Sequence, residues 1–409
     1  MSLASNRTPL TIYINANAAI LTTGKGLSGS DRIFIEWARQ WAKMGRVTLN
    51  VCEDGLQMCR DNNLTGVSYV VWPASKFRQF GFHAHYVGRI LSGIVNTIRY
   101  SKPSDPRRTI IYSSSDFWPD LIPSLIMKLR FRGAKWVAGY YLSVTLDLVY
   151  RRFDPTSRLR LPRFEHVVYY LTQKIARIII RRYSDAVFVT SEPDRPRFIS
   201  GRLPPSKVVA VRGGVDIDTP ALIPEPMEKK YDAVFLGRFH PQKGVLYLID
   251  IWKLVCDKRP ARLAMIGAGV EGTYPQYEIE VRNRISELGL EDKIEIFGFL
   301  DGPEKIRIFK SSKMFLYPST YGSGGMATGE AMACGLPAVS FDLEHLKTYY
   351  PKGLVKAPLK DLNAFANNIL RLLDDKEFYS KKRNEAIELS LEWDWKKRAA
   401  EVYSFLDCL

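Results

Sequence analysis

The chain has 409 residues, enough for two or three domains, and its 46% hydrophobic and 25% charged composition is that of an ordinary folded protein. That balance excludes disordered and collagen-like classes, and five cysteines (Cys52, Cys59, Cys256, Cys334, Cys408) without any Cys-x-x-Cys spacing exclude a disulfide framework and a zinc ribbon. The net charge of +16 is one-sided: residues 1–216 carry 32 Lys and Arg against 15 Asp and Glu, whereas residues 217–409 carry 27 against 28.

An excess of this kind attracts a polyanion: nucleic acid, an anionic membrane face or a phosphorylated substrate. No RNP-like, zinc-finger or helix-turn-helix pattern accompanies it, so nucleic acid is not expected as a partner. Uncharged stretches such as Trp136 to Leu146 fall short of the ~20 apolar residues of a spanning helix. Met1 to Leu10 has no apolar signal-peptide centre. A cytoplasmic location, peripheral on the inner membrane face, is the expectation.

Along the chain, Thr11 to Asn15, Val47 to Cys52, Val67 to Trp72, Thr109 to Tyr112, Lys135 to Ala138, Ala186 to Thr190 and Val208 to Val211 read as buried strands. Segments long enough for crossover helices separate them. One such helix is plain from its period, with Ile33, Phe34, Trp37, Ala38, Trp41 and Ala42 on one face and Gly45 as a stop. This alternation predicts a parallel, doubly wound sheet.

The first half also holds several candidate sites. Gly24, Gly26 and Gly29 satisfy Gly-x-Gly-x-x-Gly ahead of the Ile33 helix, and Glu53 and Asp54 follow the next strand. Ala16 to Thr23 intervene, however, whereas a dinucleotide fingerprint places its glycine directly after the strand. His83 and His85 lack a nearby Cys or paired acids, so a metal site is not expected there. Asp116 and Asp120 follow a strand and suit a helix start. No Ser sits in a Gly-x-Ser-x-Gly elbow, which argues against a Ser-His-Asp hydrolase.

Two stretches interleave cations with large apolar groups. Tyr150 to Tyr183 contains Arg151, Arg152, Arg158, Arg160 and Arg163, then Lys174, Arg177, Arg181 and Arg182, among Leu159, Leu161, Phe164, Leu171, Ile175 and Ile178. Phe80 to Tyr100 mixes His83, His85, Arg89 and Arg99 with Ile90, Leu91, Ile94 and Ile98. Surface helices lying on anionic lipid need this combination.

The alternation breaks at Arg212 to Lys230, punctuated by Pro220, Pro224 and Pro226, and restarts with strands at Asp232 to Leu236, Arg262 to Ile266, Ile294 to Phe297, Met314 to Tyr317 and Ala338 to Phe341. Helices follow near Leu359 to Leu373, Lys376 to Leu389 and Trp395 to Leu406. The expected division is a first α/β domain over 1–212, a linker over 213–230, a second α/β domain over 231–390, and a final helix over 391–409 packing back on the first. Two such domains facing across a cleft would place a ligand at their strand carboxyl ends.

Gly237, Arg238 and Lys243 follow the first strand of the second half, where two cations beside a helix start make a diphosphate clamp. Gly322, Gly324 and Gly325 allow close backbone approach, and the Met326 to Ala333 helix presents its free N–H groups to the same ligand. Glu330, one turn in, suits ribose hydroxyls.

On Gly237 to Gly244, Ile266-Gly267-Ala268-Gly269, Phe297 to Leu300, Tyr317-Pro318-Ser319 and Gly329 to Pro337, the chain resembles glycosyltransferase family 4, retaining enzymes of the two-domain GT-B fold. The resemblance implies a nucleotide-diphosphate sugar donor (UDP or GDP) and a glycan or lipid-linked acceptor on the basic domain. It implies no cofactor and no essential metal. Arg238 and Lys243 would take the diphosphate and act catalytically, with Glu330 on the ribose and Phe297 to Phe299 on the base. Gly325, Met326 and Ala327 would take the phosphate and sugar, and Gly237 and Gly267 would complete the donor site. Gly26, Ser28, Gly29 and Tyr141 would form the acceptor and phosphate loop.

Two positions depart from the family pattern. Gly322 stands where the family has a first Glu, eight residues before Glu330, and Tyr141 stands near where many relatives have a His. They leave room for an alternative, a catalytically degenerate nucleotide-binding subunit that supports a partner glycosyltransferase.

Overall fold

The computed structural model describes residues 8–19, 27–151, 158–159, 161–162, 164–269, 277–322 and 325–409. Two compact units emerge: the first comprises 1–144, 167–211 and 395–409, and the second 145–166 and 212–394.

The first unit is built on seven parallel strands: β1 (Thr11–Asn15), β2 (Arg46–Val51), β3 (Ser68–Val71), β4 (Thr109–Ser113), β5 (Lys135–Tyr140), β6 (Ala186–Val189) and β7 (Val208–Ala210). Their order is β3-β2-β1-β4-β5-β6-β7. β4 is buried along its whole length, as a strand covered on both faces must be. The order reverses direction between β1 and β4, which makes that pair the topological switch point of the sheet. Ile33, Phe34, Trp37, Ala38 and Trp41 all lie on the buried face of the helix Gly29–Trp41.

The second unit repeats the plan with β8 (Tyr231–Leu236), β9 (Leu263–Ile266), β10 (Ile294–Ile296), β11 (Ser312–Tyr317), β12 (Ala338–Phe341) and β13 (Leu354–Ala357), ordered β10-β9-β8-β11-β12-β13 and parallel throughout. Its switch point is β8/β11. One core centres on Trp252, Phe341 and Phe365, which lie with helix Val245–Cys256; a second centres on Phe309, Phe315, Tyr350 and Trp393.

The expected division needs two corrections. The stretch 213–230 is no free linker: Val215 is buried, its N–H donates to Trp393 O at 2.8 Å, and it bridges in parallel to Asp394. Residues 145–166, read as part of the first domain, group with the second unit. Helix Trp395–Asp407 lies within the first unit, where Trp41 Nε1 donates to Ala399 O at 2.9 Å and Phe405 meets Phe188 at 5.8 Å between ring centres. Among the described residues no helix is long and apolar enough to cross a membrane.

Candidate functional site

In the second unit the loops after β8, β9 and β11 converge at the switch point. Gly267 N–H donates to Gly298 O at 2.7 Å, and Phe239 N–H donates to Ala268 O at 2.8 Å. These bonds stitch together the carboxyl ends of β8, β9 and β10. They require glycine at 267, where φ is +152° and a Cβ would stand 1.9 Å from Gly237 O. Gly244, with φ +65°, is equally constrained: a Cβ there would lie 2.0 Å from Pro318 O, just beyond β11. Helix Val245–Cys256 therefore starts directly against the exit of the neighbouring strand.

Arg238 and Lys243 leave this stitched loop. Arg238 is exposed, Lys243 is partly buried, and Lys243 Nζ sits 5.8 Å from the centre of the Tyr317 ring. Neither cation has a carboxylate partner among the described residues. Burial, and then the nearby Arg238 charge, pushes the Lys243 ammonium down to about 8. His240 lies between them, with its Nδ1 accepting Gln242 N–H at 3.1 Å. Burial and the Arg238, Lys243 and His166 charges push it down to about 3, so it is neutral at pH 7. Two cations without a carboxylate partner among the described residues, against a helix start, are an arrangement that can hold an anion.

Across from them, Gly325 (φ +60°) caps helix Met326–Ala333. Met326 and Ala327 carry first-turn N–H groups, which have no acceptor within the helix. Tyr350 fixes that turn: its hydroxyl donates to Gly325 O at 2.7 Å and accepts Gly329 N–H at 3.1 Å. The buried ring stacks on Trp393 at 5.1 Å. Among the described residues the hydroxyls of Thr320 and Thr328 are buried without hydrogen-bond partners, the state of polar atoms that await water or ligand.

Glu330 is not a solvated helical acid. Lys305 Nζ, almost fully buried on helix Gly302–Lys310, donates to Glu330 Oε2 at 2.9 Å and to Asp301 Oδ1 at 2.8 Å. Gly322, at the position of the family's first Glu, leaves little room for a side chain: a Cβ there would stand 3.0 Å from the Tyr317 hydroxyl. Phe297 N–H donates to Met265 O at 2.9 Å, while the Phe299 ring is exposed.

The candidate residues of the first unit are less uniformly presented. Gly26 lies outside the described residues, as does Gly24. Ser28 is the N-cap of helix Gly29–Trp41: its hydroxyl accepts Asp31 N–H at 3.1 Å, and Asp31 Oδ2 accepts Ser28 N–H in return. That capping box gives Ser28 and Gly29 a structural role in the helix start. Tyr141 shares its hydroxyl with the buried Tyr112. His85 is buried and bonded by Arg89 Nε at 3.3 Å, whereas His83 is exposed.

Asp116 and Asp120, with nothing in the sequence to position them, turn out to lie at the β1/β4 switch point. Asp120 accepts Ala18 N–H at 2.7 Å and the Ser114 and Ser115 hydroxyls, and burial pushes it up to about 7. Asp116 accepts Gln173 Nε2 at 3.0 Å, and burial pushes it up to about 6. Ala18 and Gln173 are distant in sequence from the two acids, so only the folded chain reveals these contacts. The same is true of Lys305 and Tyr350.

Two parallel-sheet α/β units of this strand order are those of the GT-B class of folds. Residues 223–389 match the family model described as Glycosyl transferases group 1. The chain is 28% identical over 158 residues to O-antigen chain mannosyltransferase B of Escherichia coli, covering 37% of this chain and 40% of that protein. It is 27% identical over 206 residues to phosphatidyl-myo-inositol mannosyltransferase of Mycobacterium leprae, covering 48% of this chain and 52% of that one. The chain thus spans about half the length, or less, of these relatives. The crystal structure of Anabaena HepE in complex with UDP and glucose superposes with a TM-score of 0.72, over 98% of this chain and 100% of that one, at 16% identity. At that identity the likeness is one of fold.

Proposed function

We propose that the chain is a retaining hexosyltransferase that moves a sugar from a UDP- or GDP-sugar to a membrane-associated or lipid-linked saccharide. The observation that carries this reading is the pair Arg238 and Lys243, without carboxylate partners at the β8/β11 switch point. The bond from the anomeric carbon to the β-phosphate oxygen breaks as the acceptor hydroxyl oxygen forms its bond on the same face of the sugar and passes its proton to the leaving diphosphate oxygen. Negative charge gathers on the leaving diphosphate. Fixed cations and first-turn N–H groups aimed at it stabilise that charge more in the transition state than in the bound donor, which lowers the barrier.

In this reading the Arg238 and Lys243 charges do what a divalent ion does in other transferases. Turnover is then insensitive to EDTA. The acceptor belongs to the basic first unit. An acceptor in a lipid-bound glycan fits the +17 balance of residues 1–216, and the two mannosyltransferase relatives act, by their names, on an O-antigen chain and a phosphatidylinositol.

The test is calorimetric binding of UDP and GDP, followed by sugar release and transfer from a panel of their conjugates, with and without a membrane extract. Micromolar binding with turnover supports the reading, and Arg238→Ala with Lys243→Ala should abolish that turnover. Near-normal turnover in the double variant would overturn it. Gly322 favours a second reading, a nucleotide-binding subunit without transferase activity; binding with no turnover across the panel would establish it.

A further inference from the structure

Three helices cover one face of the first sheet: Phe82–Arg99, Trp118–Arg130 and Phe164–Tyr183. They lie in the connections β3 to β4, β4 to β5 and β5 to β6, which all run the same way along the strand order, so right-handed crossovers place them on the same side. Helix Trp118–Arg130 is the middle one. A Cβ at Gly93 would lie 2.6 Å from Pro123, so the first helix packs tightly against it. On the other flank Trp118 Nε1 donates to Thr172 O at 3.2 Å, and Phe117 stacks on Tyr169 at 5.6 Å.

The outward side of this layer is apolar where a surface helix is ordinarily charged. Val87, Leu91, Val95 and Ile98 recur at intervals of four, four and three residues, one stripe of the first helix. Leu171, Ile175 and Ile178 form the matching stripe on the third, and Leu129 stands out from the middle helix. These eight side chains are 44% to 67% exposed. Single exposed apolar residues are common, but an ordered set on neighbouring helices marks an interaction surface.

Charge decides the occupant. Residues 62–104, 121–146 and 166–184 contain no Asp or Glu at all. Arg99, Arg177, Arg181 and Arg182 form no ion pair among the described residues, and Lys174 lies over the Tyr170 ring at 5.0 Å. The sequence pattern had placed Arg89 among these surface cations, but it is buried, donating to Asn17 O, Ala19 O and Asp54. Arg152, Arg160 and Arg163 lie outside the described residues, and the cations of this face are those of the 171–182 helix surface.

We propose that this face of the first unit seats on an anionic bilayer, with Leu91, Ile98, Ile175 and Ile178 entering the headgroup boundary and the arginines meeting lipid phosphates. Apolar side chains and cations on stretches without an acid, 62–104 and 166–184, are the two components of interfacial binding. A protein partner would need its own row of acids to match the surface. The inference deepens the reading of a membrane-held acceptor and rests on it for its purpose; its test uses neither donor nor acceptor.

The full chain is sedimented with vesicles of equal phosphatidylglycerol and phosphatidylcholine, and with phosphatidylcholine alone, at low and high salt. Binding to the anionic vesicles at least tenfold tighter, weakened by salt, is expected. The variant Leu91→Glu, Val95→Glu, Ile175→Glu, Ile178→Glu changes only exposed positions and should lose that binding tenfold or more while its UDP affinity, which reports the fold of the second unit, and its far-ultraviolet dichroism stay unchanged. Binding of the variant equal to that of the parent overturns the proposal. So does a parent that ignores vesicles but dimerises through this face, as sedimentation velocity would show by its conversion to monomer in the variant. Loss of UDP binding by the parent would instead count against the transferase reading and leave the vesicle result standing.

Discussion

Lys305 and Glu330 meet at 2.9 Å from two different helices, and the same ammonium holds Asp301 at 2.8 Å. The ion pair fixes the rotamer of Glu330, with Oε2 taken by the lysine. If Glu330 binds the ribose, Lys305 acts as its positioning residue. Lys305→Met keeps the length of the side chain and removes the charge. A hydrogen bond to a charged group is worth about 1.5–3 kcal/mol, so UDP affinity should fall about tenfold or more while inorganic pyrophosphate affinity is unchanged. Calorimetry with both ligands checks this. Equal losses for the two would mean that Lys305 supports the whole loop and not the ribose contact.

Lys243 gives the proposed donor site a pH dependence of definite sign. In the empty protein its ammonium loses its proton around pH 8, and a bound diphosphate, being anionic, raises that pKa. Affinity is therefore full below about pH 8 and declines above it, by up to about tenfold per pH unit until the pKa of the complex is reached. Lys243→Arg keeps the charge at all these pH values and should flatten the decline. Pyrophosphate titrations at pH 7, 8.5 and 9.5 on both proteins read it directly, and parallel curves would remove Lys243 from the anion site. The empty site also costs stability at neutral pH, because the unfolded lysine titrates near 10.4. The unfolded chain binds more protons between about pH 8 and 10.4, and stability of the empty protein rises with pH across that window.

Much of this architecture is legible in the sequence for one physical reason. Parallel strands are covered on both faces and so read as continuous β-branched runs, which is why β1, β4 and β8 stand out within a residue or two of their ends. β13 does not, because it is a sheet edge: only Leu354 and Ala357 are buried, and Lys356 interrupts the run. Arg238, Lys243 and the Gly325 turn are legible because the role proposed for them depends on local spacing. Lys305 and Tyr350 are not, since each meets its partner 21 to 25 residues away. The interleaved cations and apolar groups are legible in the sequence, but only the burial of Arg89 and the exposure of Leu91 and Ile178 separate a surface stripe from a core stripe.

Gly267 and Gly244 are where the site tolerates least change. A methyl group at 267 would lie 1.9 Å from Gly237 O, and one at 244 would lie 2.0 Å from Pro318 O; both obstacles are backbone, and both positions have positive φ. Overpacking and left-handed strain each cost about 1–3 kcal/mol, so Gly267→Ala and Gly244→Ala should each destabilise the second unit by about 3 kcal/mol and abolish UDP binding. Gly289→Ala is the control, since its φ is +63° but no atom lies within 4 Å of the added Cβ. Strain alone then remains, and UDP binding should survive. Thermal unfolding and UDP titration of the three variants distinguish the two costs; equal behaviour would show that the close approaches relax.

Asp120 supplies the opposite pH signature in the first unit. Burial raises its carboxyl to about 7, against about 3.9 in an unfolded chain, so the folded state retains a proton that the unfolded state has released between those values. Its contribution is fully present below about pH 4 and is lost as pH rises toward 7, at up to about 1.4 kcal/mol per unit. Asp120→Asn cannot titrate but can still accept the Ala18 N–H. The variant should be about 1 kcal/mol less stable than the parent at pH 5, through weaker bonding to Ser114 and Ser115, and should draw level with it or overtake it by pH 7.5. Asp116 titrates in both proteins, so the difference between their urea midpoints isolates Asp120. A difference that does not change between pH 5 and 7.5 would show that Asp120 is ionised throughout, held by the two serine hydroxyls and the Ala18 amide, with no proton stored at the β1/β4 switch point.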